Sequence, residues 1–362
     1  MALRPLTDPK RIATPYVTLL FKIETAVSEC LSKSVGTPLL GIYLENQLKS
    51  LNKPQRTFCD FPFAPDIHQL SSDVAIIGAA HGTPYRPGTP SHAANAAHAV
   101  RNALAWYSTN PEQYDFDSRT NVFGGATVVD CGDVPGDLDD GAGNRSRIEA
   151  AVSGILKSGA VPMLLGGDDS VPIPFFSAYE GHHEFTVLQI DAHLDWRHEV
   201  HGVTHGFSST MRRASEMPQV IGMVQAGVRG PGSARKAELA DAKAWGSLIF
   251  PANEVETHGI EQVVAAIPEG SNVVFSIDVD GLDPALVPGI LLPAPGGIGY
   301  QQMITLIRGV ASRATIVGAA FVEFMPEKDI NGYGARVIAR LASVIIATIG
   351  HQIIDTTRPA TS

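Results

Sequence analysis

The stretch Phe185-Thr-Val-Leu-Gln-Ile190, followed with no turn residue by Asp191-Ala192-His193-Leu194-Asp195, decides the fold. Its apolar half reads as a buried parallel strand. Side chains two apart on a strand share a face, so Asp191, His193 and Asp195 converge on one side. Two carboxylates and an imidazole there suit a divalent cation, because oxygen and nitrogen donors at ~2 Å replace its hydration shell. Asp and His also end strands and cap the loops that follow, and the pentapeptide alone supports both readings.

The surroundings extend the strand reading. Further strand-like runs are Val74–Ala79, Ala126–Asp130, Pro162–Leu165, Ile221–Ala226, Leu248–Phe250, Val273–Ile277 and Ile316–Val322. Helix-like segments fall between them, at about 90–107, 145–158, 174–180, 208–215, 233–245, 258–267, 299–312 and 333–349. Strands alternating with helices predict βαβ units and a parallel sheet, with ligands bound beyond the carboxyl ends of the strands. This α/β domain is expected to span 73–362. Residues 1–72 read as an N-terminal extension with an amphipathic helix near Val17–Leu31. It either packs on the core or a neighbouring subunit, or forms a partly ordered arm.

Composition narrows the partners. The chain has 362 residues, 44% of them hydrophobic, which is enough for a large core. A net charge of −10 argues against nucleic acid and for a small or cationic ligand. Cys30, Cys59 and Cys131 form no CxxC pair and no disulfide framework, which favours a reducing cytoplasm. No apolar run is expected to reach the ~20 residues of a membrane span, and MALRPLTDPKR lacks the apolar core of a signal peptide.

Two more acidic clusters follow apolar strands: Gly166-Gly167-Asp168-Asp169-Ser170, and Ser276-Ile-Asp278-Val-Asp280-Gly-Leu-Asp283-Pro284. Three strand ends that bring carboxylates to one sheet edge repel one another unless a cation neutralises them. Taken in this order, they point to a two-metal site.

In these motifs, with Asp130-Cys-Gly-Asp133-Val134 and Phe321-Val-Glu323-Phe-Met-Pro326 in support, the chain resembles the ureohydrolases, the superfamily of arginase and agmatinase, over about residues 73–350. The resemblance implies a doubly wound, mainly parallel α/β sheet with helices on both faces, in trimers or hexamers. It implies two divalent metal ions, Mn or Ni, on Asp169, Asp191, His193, Asp195, Asp278 and Asp280, with Asp191 and Asp278 bridging. It implies a hydroxide shared by the metals that attacks a guanidinium carbon and releases urea and an amine, and Glu323 paired with the guanidinium. A histidine near neutral pKa then shuttles the proton. His201-Gly202 and His205-Gly206 both fit the family's His-Gly pair. His205 is preferred because it directly precedes the next helix, His201 is kept as a substrate contact, and His198 reads as loop.

Two departures from the family bear on function. The family usually has His where this chain has Asp169, which makes the shell five carboxylates and one imidazole. A loop that is usually polar reads Pro288-Gly-Ile290-Leu291-Leu292-Pro293. If Ile290, Leu291 and Leu292 line the pocket, they suit a compact guanidine, an N-alkylguanidine or a biguanide such as metformin; otherwise they pack under the sheet or in a subunit contact. The long N-terminal extension, DAHLDWR and SSTMRRASEM look closer to the agmatinase, guanidine-hydrolase and metformin-hydrolase branches than to arginase. An agmatinase or guanidinobutyrase is the alternative. A non-catalytic subunit of a hetero-oligomer with a paralogous partner is another, as is a sensor that binds a guanidine without cleaving it.

Overall fold

The structure, a computed structural model, describes residues 51–104, 110, 112–231 and 234–357. The helix expected near Val17–Leu31 lies outside the described residues. So do Cys30, residues 105–107 at the end of the expected 90–107 helix and Gly232 and Ser233.

Eight parallel strands form one sheet: β1 (Val74–Ala79), β4 (Val128–Val134), β5 (Val161–Leu165), β6 (Phe185–Ile190), β7 (Val220–Ala226), β8 (Leu248–Phe250), β9 (Asn272–Asp278) and β10 (Thr315–Val322). A two-residue hairpin, β2 (Tyr114–Asp115) with β3 (Thr120–Asn121), stands apart. The sheet order is β4-β1-β5-β10-β9-β6-β7-β8. The helices between them are α1 (Ala96–Ala103), α2 (Gly141–Ser158), α3 (Pro172–Ser177), α4 (Thr210–Ala214), α5 (Lys236–Trp245), α6 (Ala252–His258), α7 (Glu261–Ala266), α8 (Tyr300–Ala311) and α9 (Tyr333–Thr357). The inner strands are buried on both faces, as their continuous Val, Ile, Leu and Phe runs require. Two hydrophobic clusters result, one holding Leu188, Phe275 and Ile345 and the other Val187, Val274 and Phe175.

The differences from the expected elements have local causes. Helix α2 starts at Gly141 rather than 145, because the Asp140 side chain accepts from Gly143 N at 2.7 Å and caps it. The helix expected over 258–267 is α7 alone, starting at Glu261, because Gly259 with a φ of 85° ends an additional helix, α6, that was not expected before it. The 90–107 segment is helical only from Ala96. Strand β4 runs past Asp130 to Val134 through an irregularity at Cys131, where the register steps from Ile76↔Asp130 to Ile77↔Gly132. The C-terminal helix holds a stretch, Tyr333–Ile354, that is long and apolar enough to cross a membrane, contrary to expectation. Two-thirds of its most apolar window is buried in the fold, so it serves here as a core helix.

The Asp130–Asp133 motif is a clamp at this sheet edge. Arg101 of α1, 1% exposed, donates from Nε and Nη2 to the two oxygens of Asp130 at 2.8 and 2.9 Å, and from Nη1 to Asp133 at 2.5 Å. The same edge takes in residues 51–63. Phe58 is fully buried and its N donates to Asp130, and Asn52 and Phe63 form bridges to Asp133 and Asp130.

Candidate metal centre

Four adjacent central strands, β5, β10, β9 and β6, end at one place. Asp168 and Asp169 follow β5, Glu323 follows β10, Asp278 ends β9, and Asp191 to Asp195 follow β6. Backbone contacts hold these ends together. Glu323 N donates to Gly167 O at 2.9 Å, and Gly166 N to Phe321 O at 2.8 Å. Gly281 is required after Asp280, because a Cβ there would come within 2.3 Å of Asp191 N. Asp195 and Glu323 adopt left-handed backbone conformations with φ of 51° and 68°, which non-glycine residues rarely take outside functional turns.

A cavity of about 330 Å³ opens here. Asp169, His193, Asp195, Asp278, Asp280 and Glu323 line its acidic side, and Tyr85, Val200, Phe207, Leu291 and Leu292 its apolar side. One arginine, Arg197, is among its lining residues. A larger groove of about 440 Å³, beside Tyr300 and Tyr333, lies elsewhere. Its Arg340 is already paired with Asp115 and Asp117, and it contributes to neither group of metal-binding atoms described next, so the smaller cavity is the chemical one.

Two triads offer ligand atoms within 4.8 Å of one another: Asp191, His193 and Asp280, and Asp169, Asp191 and Asp195. Asp191 belongs to both, the place that the resemblance gives to a bridging ligand. Asp278 lines the same cavity but belongs to neither triad; its Oδ1 accepts from Asp280 N at 2.8 Å. His193 Nδ1 lies 3.1 Å from Asp280 Oδ2.

The electrostatics call for cations. Burial, and then Asp195 and Glu323, push the Asp169 carboxyl well above the usual range. Burial, and then Asp195, Asp278 and Asp280, do the same to Asp191. Asp278 is raised by burial and by Asp280. The bond to Asp280 lifts His193 to about 9. Burial works against the charge on Asp280 too, but His193 outweighs it and holds that carboxyl low. Both oxygens of Asp169 are buried and accept no hydrogen bond. Buried carboxylate oxygens without donors are costly, and a hard cation is the partner that this donor set fits.

The other expected residues divide. Leu291 and Leu292 face the cavity, but Ile290 does not: it is fully buried in the main hydrophobic cluster. His201 sits exposed at the tip of a turn closed by the Val200–Val203 bridge, away from the cavity. His205 is not among the lining residues either. Its Nδ1 lies 2.8 Å from Thr204 Oγ1, and burial with Arg145 and Arg213 disfavours its protonation. Besides His193, a histidine that was not expected reaches the site through Glu323: His92. Its Nε2 contacts Glu323 Oε2, while Glu323 Oε1 accepts from Asp169 N at 2.7 Å. His92 stands in a Ser-His-Ala-Ala segment with no motif spacing, so nothing in the sequence marks it.

Residues 72–348 match the family model of the arginase family. The chain belongs to the arginase family. Among this family's members, the chain is 28% identical to the proclavaminate amidinohydrolase of Streptomyces clavuligerus, over 82% of this chain and 91% of that protein. The solved structure of that enzyme superposes with a TM-score of 0.72, at 25% identity, covering 84% of this chain and 99% of the other. The chain is 33% identical to the N(1)-aminopropylagmatine ureohydrolase of Thermus thermophilus over 47% of its length, a match spanning 57% of that relative. The doubly wound α/β fold with helices on both faces is thus the arginase-like fold.

Proposed function

We propose that this arginase-family chain hydrolyses a carbon–nitrogen bond of a small guanidino compound at a two-metal centre. The observation that carries the proposal is Asp169. Although it replaces the family's usual histidine, it presents two buried oxygens without donors in a triad with Asp191 and Asp195. That favours a metal-loaded site over the non-catalytic subunit. The sensor reading predicts guanidine binding without urea release.

Two divalent cations, when bound, would supply Lewis-acid activation of water at neutral pH. Asp169, Asp191 and Asp195 would hold one, and Asp191, His193 and Asp280 the other, with Asp278 beside both. The acidic wall attracts a planar cation, and each oxygen of Glu323 keeps acceptor capacity toward a guanidinium N–H beyond its present bond. His92 Nε2 contacts Glu323 Oε2: burial opposes the imidazole's charge, but the contact with Glu323 raises its pKa overall. His92, beside the carboxylate that would hold the guanidinium, is therefore our candidate for the proton shuttle in place of His205. The apolar wall of Tyr85, Phe207, Leu291 and Leu292 excludes water and suits a compact or N-alkylated guanidine, including a biguanide. Arg197 opposes a tail bearing a second positive charge, which sets agmatine behind. It favours, as a second reading, an acid-tailed guanidine of the guanidinobutyrate kind.

We further propose a cytoplasmic trimer or hexamer. Its cytoplasmic placement is supported by Cys59 and Cys131, which are buried and form no disulfide, as a reducing compartment would leave them. Light scattering and cell fractionation test the assembly and location. The activity is tested by a screen of guanidine, N-alkylguanidines, metformin, guanidinobutyrate and agmatine for released urea, or for guanylurea and dimethylamine from metformin, with Mn²⁺ and Ni²⁺ in parallel and metal content measured on the same sample. Any of these products with near two metals per chain supports the proposal. Near-zero metal with none of them overturns it.

A further inference from the structure

Behind the acidic wall a relay of buried side-chain amides runs across the sheet. Gln189 on β6 and Gln225 on β7 are register partners, and both are fully buried. A primary amide inside such apolar strands is costly unless its oxygen and nitrogen are both bonded. Here both are, in a fixed direction. The Trp196 indole, which can only donate, gives Nε1–H to Gln225 Oε1 at 3.1 Å, and Ser247 Oγ donates to the same atom at 2.7 Å. Gln225 Nε2 is therefore turned away, donating to Leu194 O at 3.0 Å and to Gln189 Oε1 at 2.6 Å. That leaves Gln189 Nε2 to donate to Asp191 Oδ2 at 2.5 Å and Asp195 Oδ2 at 3.0 Å.

The donor-only indole at one end leaves the two amides a single polarity, with the Gln189 amide N–H groups turned to oxygens of Asp191 and Asp195 at the other. We propose that Gln189, locked by Gln225 and Trp196, is a positioning residue for the metal centre. It engages one oxygen on each of Asp191 and Asp195, fixing both carboxylates without charge. A lysine in its place would neutralise the negative charge that the cations need, whereas an amide orients the ligands and leaves that charge intact. Carboxylate ligands held by outer hydrogen bonds lose roughly 10- to 100-fold in metal affinity when the partner is removed.

The inference rests on the two-metal reading, and the experiment separates the two. Full-length wild-type chain, Gln189→Leu and Gln225→Met are stripped with EDTA, checked for fold by circular dichroism, and titrated with Mn²⁺ and Ni²⁺ against a chelating dye. The expected result is ~10- to 100-fold weaker binding in Gln189→Leu and a smaller, several-fold loss in Gln225→Met, which touches no ligand. Wild type that binds no metal overturns the two-metal reading and the inference with it. Metal-binding wild type with unchanged affinity in both variants overturns the relay alone. Since the relay is assigned to positioning ligands and not to holding the fold, failure of both variants to fold also overturns it.

Discussion

Asp191→Asn tests the shared ligand most sharply. In the folded chain Asp191 Oδ1 accepts from His193 N at 2.5 Å, and Oδ2 from Gln189 Nε2 at 2.5 Å. An asparagine has one acceptor, so either orientation turns its NH₂ toward a donor and leaves a bond unmade, costing ~1–3 kcal/mol. Removing one of several mutually repelling buried carboxylates offsets part of that cost in metal-free protein, so its stability should change by no more than ~2 kcal/mol. The metal-dependent increment is where the variant separates from wild type. A ligand at 100 times its dissociation constant stabilises by ~2.7 kcal/mol per site, so two sites give about 5 kcal/mol. At about 2.1 cal/mol/K per residue a chain of 362 residues shifts by ~1.3 °C per kcal/mol, so metal should raise the wild-type Tm by about 7 °C. Because Asp191 serves both triads, Asp191→Asn should lose nearly all of this rise, both metals and urea release together. Asp169→Asn, in one triad, should lose one metal and about half of the rise. Scanning calorimetry with and without metal, beside elemental analysis, reads all three. An Asp191→Asn protein that keeps two metals and the full Tm rise would refute the shared-ligand geometry.

Metal-free protein should show an unusual pH dependence. Asp169, Asp191 and Asp278 have folded-state pKa values raised above the unfolded value of ~3.9. Their contribution is fully present below that value and is lost as pH rises through the folded values, and that of His193 is lost as pH passes about 9. Urea midpoints of EDTA-treated protein should therefore fall between pH 4 and 9, and added metal should restore them at neutral pH; a midpoint that rises over that range contradicts the shifts. Arg101→Met leaves Asp130 buried without its cation, and urea unfolding should show a loss of ~3–5 kcal/mol with an unchanged m-value. Arg197→Gln should lower kcat/KM for acid-tailed guanidines about tenfold or more and narrow the gap to agmatine, with little effect on guanidine itself; a uniform change across the panel would assign Arg197 to the fold. Leu292→Thr should shift the preference away from N-alkylated guanidines, and unchanged relative kcat/KM would make the loop structural.

The sequence made legible whatever depends on strand periodicity. Four strand ends carry chemistry, and the apolar runs that lead to them could be placed in one sheet before any coordinates; the shared face expected for Asp191, His193 and Asp195 is not strand pleat, however, because β6 ends at Ile190 and the loop after it, with Asp195 in a left-handed conformation, gathers the three around Asp191. Helix boundaries were less legible because they hang on single caps, such as Asp140 drawing α2 back to Gly141 or Gly259 ending α6. The loops were least legible. His201, His205 and Ile290 were chosen for their place in the chain after a motif, but a bridge between Val200 and Val203 turns His201 outward, and a core contact draws Ile290 in. His92 had no pattern to betray it, because its meeting with Glu323 joins a segment before α1 to the end of β10, 231 residues away. Gln189 is the case between these two. An amide two residues before Asp191 on a strand that otherwise buries apolar groups is visible in the sequence as an anomaly. What it bonds depends on Gln225 of the neighbouring strand, so the anomaly gains its meaning only when the register pairs them.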